Sequence, residues 1–317
     1  MATQPMDEFW WADPALKQRL VSDPVGVLKE RGINVDGNFP LAAIHDLIRL
    51  TSLIWKDGRI VRADQFLIDP FDEGLLFGRG VWESTRTFGG HPWLWPIHLD
   101  RLKQTATLLG FEVAPERLPD AAAVTQFVRI LTAQDVVIRL NVSAGRQGKP
   151  GTVWMSCSLM PAPIESYKLA TGQNPVSMPS PYLIGKTFHY ASRMFGAKPA
   201  WQNGFDSVLW YDANHNLLES AHANIFLRMP EGWVTPSVES GLFLPGTVRH
   251  QLLKNPVLPI KEAVIPVSRI AEAQEVFVTN SNVGIVPVVL IDKQSYPIGP
   301  ETAQLKDWLM PKKVPVK

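Results

Sequence analysis

Lys186 is the first residue whose setting suggests chemistry. It follows Gly185 and a proline-rich approach, SMPSPYLIG, and precedes the run TFHYASRMF. A lysine there reads either as a solvated surface residue or as a Schiff-base nucleophile. The second role needs partial desolvation, which lowers the amine from its usual value near ~10.4. Further on, Glu219 ends an apolar strand in LLESAHANIFL. It reads either as a turn acid capping the next segment or as a carboxylate paired with a cofactor cation. In LPGTVRHQLL, Pro245-Gly246 leads into a helix, leaving the amides of Thr247 and Val248 as free donors. Such a terminus is a natural phosphate site, and Pro-Gly is also a common way to start any helix. Thr279, Asn280 and Ser281 break two apolar β-runs, as phosphate ligands or as an ordinary turn. Arg101 lies on a leucine- and threonine-rich helix, where it could grip a phosphate bidentately or snorkel to solvent.

The elements that would carry these residues follow from period and turn chemistry. SLIWKDGRIV reads as a hairpin turning at Lys56-Asp57-Gly58, and GVWESTRTFGGHPWLW as a second turning at Gly89-Gly90. HLDRLKQTATLLGF reads as an amphipathic helix with Leu99, Leu102, Leu108 and Leu109 on its apolar side. DAAAVTQFVRILTAQ is a further helix, and VVIRLNVSAG and TVWMSCSLM are two strands. PAPIESYK connects to a second unit. There KTFHYASRMFGAKPAWQNG reads as a helix beginning after a Gly185 turn, FDSVLWYDANHNLLES and NIFLRMPEGWVTP as hairpins, and EVFVTNSNVGIVPVVLI as strand, loop and strand. This predicts an α+β fold: an N-terminal helical extension over 1–48, a small α+β domain over 49–161 and a larger barrel-like domain over 162–317. In the extension, Asp13-Pro14 and Asp23-Pro24 start two short helices, with Gly32 as a C-cap.

Composition narrows the function classes. The 317 residues are 45% hydrophobic and 19% charged, enough to bury a sizeable core and against a disordered chain. Thirty-one basic and thirty acidic residues leave a net charge of +1, which argues against coating nucleic acid or an anionic membrane. The lone Cys157 can neither staple the chain nor build a cysteine metal site, so no metal and a reducing, cytoplasmic compartment are expected. No signal peptide is visible in MATQPMDEFWWADP, and no stretch is long enough to span a membrane. Eleven tryptophans fit core and interface packing.

Together and in this order, DEGLLFGRGVWESTR, HLDRL, VIRLNVSAG, KTFHYASRMFGA, GFDSVLWYDANHNLLESAHANIFL, LPGTVR and FVTNSNVGIVPV resemble the class IV, fold-type-IV aminotransferases. That group includes branched-chain and D-amino-acid aminotransferases and 4-amino-4-deoxychorismate lyases. The resemblance implies pyridoxal 5'-phosphate (PLP) as cofactor. It implies that Lys186 holds it as a Schiff base and shuttles the Cα proton, and that Glu219 keeps the pyridine nitrogen protonated, making the ring an electron sink. It further implies that Arg101, the amides of Thr247 and Val248, and Ser281 or Asn280 cup the phosphate, and that Tyr190 bonds the phenolic oxygen. The substrate side departs from the family. Phe77-Gly78-Arg79-Gly80 replaces the usual tyrosine and Gly-Asp-Gly, and Trp82 stands where phenylalanine is common. Phe77, Arg79, Trp82, Arg86 and Arg146 are the substrate-side candidates, the arginines for a carboxylate. The expected activity is amino transfer between an amino acid or amine and a 2-oxo acid, in a homodimer. The alternatives are pyruvate elimination of the aminodeoxychorismate lyase type and a non-catalytic binding module on the same fold.

Overall fold

The computed structural model describes residues 41–176, 181–254 and 258–311, together with positions 19, 22, 23, 26, 27 and 30. The two short helices expected before Gly32 therefore lie largely outside the described residues. Helix α1 (Leu41–Ser52) follows, a helix that the sequence reading did not assign. It buries Leu50 against the first sheet, and its Asp46 accepts a 2.6 Å hydrogen bond from Thr132.

The first half of the chain supplies strands β1 (Leu53–Lys56), β2 (Arg59–Arg62), β3 (Gly80–Phe88), β4 (His91–Pro92), β5 (Val136–Ser143), β6 (Gly145–Arg146), β7 (Lys149–Pro150) and β8 (Val153–Leu159). All but β6 and β7 form one sheet, in the order β2-β1-β8-β5-β3-β4. Asp57 and Gly58 turn the first hairpin with φ of 44° and 83°, the left-handed pair that a two-residue turn between twisted strands requires. Between the strands lie α2 (Glu73–Phe77), α3 (Trp95–Leu108) and α4 (Ala121–Leu131). Val124, Phe127, Val128 and Leu131 of α4 pack with Leu102 and Ala106 of α3 on Ile138, Leu140 and Met155 of the sheet. Helix α3 turns Leu102 into the core with Leu99 and Leu109 packed against it, as its leucines suggest, but not Leu108. Leu108 is exposed, whereas His98, Arg101 and Thr105 are buried beside Leu102.

The second half contributes β9 (Tyr167–Thr171), β10 (Ser207–Tyr211), β11 (Leu217–Ser220), β12 (Asn224–Met229), β13 (Gly232–Pro236), β14 (Ile260–Ala263), β15 (Glu275–Asn280), β16 (Gly284–Ile291) and β17 (Gln294–Ser295). Their sheet runs β11-β10-β9-β16-β15-β12-β13-β14, and β11 also pairs with β12. That last pairing closes six strands into a barrel, and its register joins Glu219 to Asn224. Both faces are covered, which is why these strands read as near-continuous apolar runs. Ile225, Leu227, Val276, Val278, Val286 and Val288 pack in one cluster. Phe226, Phe277 and Ile285, one residue out of phase, pack in another with α7 (Thr247–Lys254) and α8 (Pro300–Leu309).

Between β9 and β10 run α5 (Pro181–Ile184) and α6 (Ala191–Gln202). The helix expected from Lys186 thus begins only at Ala191. Residues 186–188 are extended and strap onto β3. Trp82 N–H donates to the Lys186 carbonyl, Phe188 N–H to the Gly80 carbonyl, both at 2.9 Å, and Thr187 bridges Val81. Among the described residues, no helix is long and apolar enough to cross a membrane.

Candidate active site

The extended strap sets Lys186 into a cavity between the two sheets. Arg101, Tyr190, Arg193, Glu219, His222, Asn224, Gly246, Thr247, Val248, Thr279, Asn280 and Ser281 line this cavity with it. The Lys186 amine lies 4.1 Å from the centroid of the Trp82 ring. Burial lowers its pKa to about 7, the Arg101 charge pushes the same way, and the carboxylates of Glu83 and Glu219 oppose them only in part. At neutral pH a large share of this amine is unprotonated and nucleophilic.

Glu219 faces the same cavity from the strand that closes the barrel. Its carboxylate accepts from Arg193 Nη1 at 2.7 Å, Leu244 N–H at 3.2 Å and Asn224 Nδ2 at 3.3 Å. Burial raises its pKa, while the Arg193 guanidinium and these donors favour the charged form. Asn224 reaches Glu219 because Gly246 leaves it room. A Cβ at 246 would stand 2.0 Å from Asn224 Oδ1.

At the other end, α3 delivers Arg101 against Glu83 of β3. Arg101 Nε and Nη2 donate to the two Glu83 oxygens at 2.7 and 2.6 Å, and Nη1 donates to the Pro245 carbonyl at 3.0 Å. His98, one turn earlier on α3, meets Glu83 through Nδ1 at 2.7 Å and Thr247 Oγ1 through Nε2 at 3.3 Å. Burial opposes ionisation of Glu83, but Arg101 and His98 overcome it and hold the carboxyl down to about 2. His98, lowered chiefly by burial, is neutral, so we assign its Nδ1–H to Glu83 and leave Nε2 to accept from Thr247. The amides of Thr247 and Val248 open α7 at the cavity wall, where first-turn N–H groups have no intrahelical acceptor. Nearby, the buried Thr279 hydroxyl has no hydrogen-bond partner. Ser281 Oγ is occupied, donating to the Ser84 carbonyl at 2.6 Å, and Asn280 Nδ2 donates to the His222 carbonyl at 3.3 Å. The arrangement offers an amine for a carbonyl, a carboxylate for a basic ring nitrogen, and a cationic cup with helix amides for a phosphate.

The comparisons with known proteins agree with this chemistry. The family signature for amino-transferase class IV matches residues 80–291. This chain belongs to the class IV aminotransferases. Among relatives of this class IV chain, an aminodeoxychorismate lyase from Bacillus subtilis is 24% identical over 77% of the chain and 88% of its own length. A putative branched-chain-amino-acid aminotransferase from Methanocaldococcus jannaschii is 26% identical over 80% of the chain and 94% of its own. A hypothetical aminotransferase from Mycobacterium tuberculosis, solved in a PLP-bound form, superposes with a TM-score of 0.71 at 21% identity, covering 81% of this chain and 97% of that one. The α+β, fold-type-IV architecture expected from the sequence is the one observed.

Of the five substrate-side candidates, Trp82 alone stands at the reactive amine. It is buried, and its Nε1 donates to the Thr187 carbonyl at 2.9 Å. Phe77 is 68% exposed at the end of α2 and does not line the cavity. Arg79 is committed to the backbone. Its Nη2 donates to the carbonyls of Leu109 and Gly110, each at 3.0 Å, and its Nη1 pairs with Glu73. The Arg86 guanidinium lies 4.3 Å from the Phe88 ring, with its buried Nε unpartnered, and does not line the cavity. Arg146 sits on the β6–β7 hairpin, paired with Asp69 at 3.1 Å beside a separate surface groove.

Two arginines were not singled out in the sequence. Arg193, on α6, is the ion-pair partner of Glu219. Arg139, on β5, lies 3.9 Å from the Trp82 ring centroid and bonds Asn141 Oδ1 at 2.9 Å. Trp82 therefore contacts both a reactive amine and a guanidinium. Laid end to end, the two centroid distances put Arg139 Cζ within about 8 Å of the Lys186 amine. The alternation of β5 next to β3 was the one available signal for Arg139. Nothing local marks Arg193.

Proposed function

We propose that the protein is a PLP-dependent aminotransferase moving an amino group between an amino acid or amine and a 2-oxo acid. The observation that carries this reading is the Lys186 amine, brought to a pKa of about 7 in one cavity with a buried Glu219 and an anion cup. When bound, PLP supplies an electron sink for the charge left at Cα. Lys186 bonds the cofactor and carries the Cα proton. Glu219, ion-paired with Arg193, holds a proton on the ring nitrogen. Arg101, fixed by Glu83, binds the phosphate with the Thr247 and Val248 amides and the unpartnered Thr279 hydroxyl, while Asn280 and Ser281 shape the adjoining strand end. Arg139 and Trp82 form the substrate side, the guanidinium taking a carboxylate. The fit is supported by an orphaned buried hydroxyl and by a glycine whose Cβ would stand 2.0 Å from Asn224 Oδ1 and crowd the partner of Glu219.

We also propose a homodimer. Leu67, Phe71, Leu75, Leu76 and Phe77 form a run of exposed large apolar side chains, each at least half exposed, of the kind a subunit contact covers. The first sheet draws only on residues 49–161 and the second only on 162–317, which supports assigning them as two domains. A cytoplasmic location suits a single buried thiol pushed up to about 12 by burial and therefore inert.

The test is an amino-donor panel on protein loaded with PLP. The expected result is a visible absorption band that wild type shows and Lys186→Ala lacks, with conversion to the pyridoxamine form by some donors and return by 2-oxo acids. A colourless protein that takes up no PLP would sink the proposal. The lyase relative keeps one competing outcome in view: pyruvate release with no oxo acid required.

A further inference from the structure

Glu219 and Asn224 pair across the turn that closes the barrel, and that turn projects His222 into the mouth of the Lys186 cavity. The turn is well held. Ser220 N–H donates to the Ala223 carbonyl at 2.9 Å, and Asn280 holds the His222 carbonyl. The imidazole lies between two rings. Tyr190 is 6.2 Å away at an interplanar angle of 25°, and Trp201 is 6.0 Å away at 17°. His222 Nδ1 stands 3.1 Å from the Tyr190 hydroxyl. Tyr190 in turn packs edge-on against Trp82, the residue that carries the Lys186 amine on its face.

The charges facing this pair are Lys186 and Arg193 around His222, and Arg193, Glu219 and Arg139 around Tyr190. Burial, followed by the two cations, lowers His222 to about 4, so its ring is neutral and has one N–H and one lone pair. Burial raises the Tyr190 phenol, which therefore keeps its proton. One hydrogen bond joins the two groups, and its direction matters. If Tyr190 donates to Nδ1, its proton is withdrawn from the cavity. If Nδ1–H donates to the phenol oxygen, the Tyr190 proton is free to point inward, and a hydroxyl that accepts one bond donates the next more strongly.

We propose that His222 is a positioning residue that donates Nδ1–H to Tyr190 and thereby turns the Tyr190 hydroxyl into the donor for the cofactor's phenolic oxygen. This rests on the PLP reading above. Weakening that donor leaves more negative charge on the phenolic oxygen, which holds the adjacent proton more tightly, so the pH midpoint of the visible band should rise.

The experiment titrates that band in PLP-loaded protein without substrate. Tyr190→Phe should raise the midpoint by about one pH unit. His222→Phe, which keeps a stacked ring but no nitrogen, should raise it by about half a unit, while His222→Asn, which keeps an N–H donor, should stay near wild type. The His222→Phe/Tyr190→Phe double variant should match Tyr190→Phe alone, because the histidine acts only through the tyrosine. The inference is overturned if His222→Phe leaves the midpoint within about a tenth of a unit of wild type, if His222→Asn shifts as far as His222→Phe, or if the double variant adds the two shifts. A wild-type protein without a visible band would refute the cofactor reading instead.

Discussion

Replacing Glu83 by glutamine tests the support beneath the anion cup. The side chain keeps its shape and loses its charge, and one of its oxygens becomes an N–H₂ group facing the N–H donors of Arg101 or His98. Glu83 is 1% exposed and receives both those residues at 2.6–2.7 Å. A carboxyl lowered from 4.5 to about 2 is held ionised by about 3 kcal/mol, at roughly 1.4 kcal/mol per pH unit. Removing one partner of a buried pair and stranding the other charge costs ~3–5 kcal/mol in comparable cases, so the two routes agree. Cofactor-free Glu83→Gln should therefore lose about 3 kcal/mol in urea denaturation at pH 7. The sign with pH follows from the depressed folded-state pKa. Stability from Glu83 is fully present above about 4.5 and is lost as pH falls toward about 2, so the gap between wild type and variant should narrow across that window. A loss at pH 7 below about 1 kcal/mol, or a gap that stays constant down to pH 2, would refute the argument.

Lys186 should behave in the opposite sense. Its folded pKa of about 7 lies below the unfolded value of 10.5, so the buried amine destabilises the cofactor-free fold most at pH 7 and below, and the burden fades as pH rises toward 10.5. Lys186→Met is expected to stabilise cofactor-free protein at pH 7 by roughly 2–4 kcal/mol, with less gain at pH 10, in thermal or urea melts. Arg79→Ala removes the bonds to the Leu109 and Gly110 carbonyls and should lower stability by ~1–3 kcal/mol while leaving KM for amino donor and acceptor unchanged, as steady-state kinetics would read. Gly246→Ala should drive Asn224 off Glu219 and weaken PLP binding by about tenfold or more in a fluorescence titration; unchanged affinity would mean that the cup yields freely.

Elements governed by short-range chemistry were legible in the residues themselves. The Asp57-Gly58 turn, the short apolar runs of the barrel strands and the proline–glycine start of α7 each depend on neighbours a few positions apart. Lys186, Glu219, Arg101, Tyr190 and the Thr247 and Val248 amides, singled out through motif order over most of the chain, line one cavity. Other features depend on which surfaces meet. Helix α3 can bury His98 and Arg101 beside Leu102 because Glu83, on a different element, receives both of them there; its leucine spacing alone gives no sign of that polar edge. Lys186 lies on a strap and not on a helix because β3 offers unpaired backbone groups at Gly80 and Trp82. Arg79 carries the charge expected of a carboxylate site, but packing gives it to the carbonyls that follow α3. Arg139 instead reaches the Trp82 ring, brought there by strand pairing between β3 and β5. Hydrogen-bond partners far apart in sequence leave no local pattern, so residue types and their order could name the chemistry, while only the closed barrel and its strap decide which charges face it.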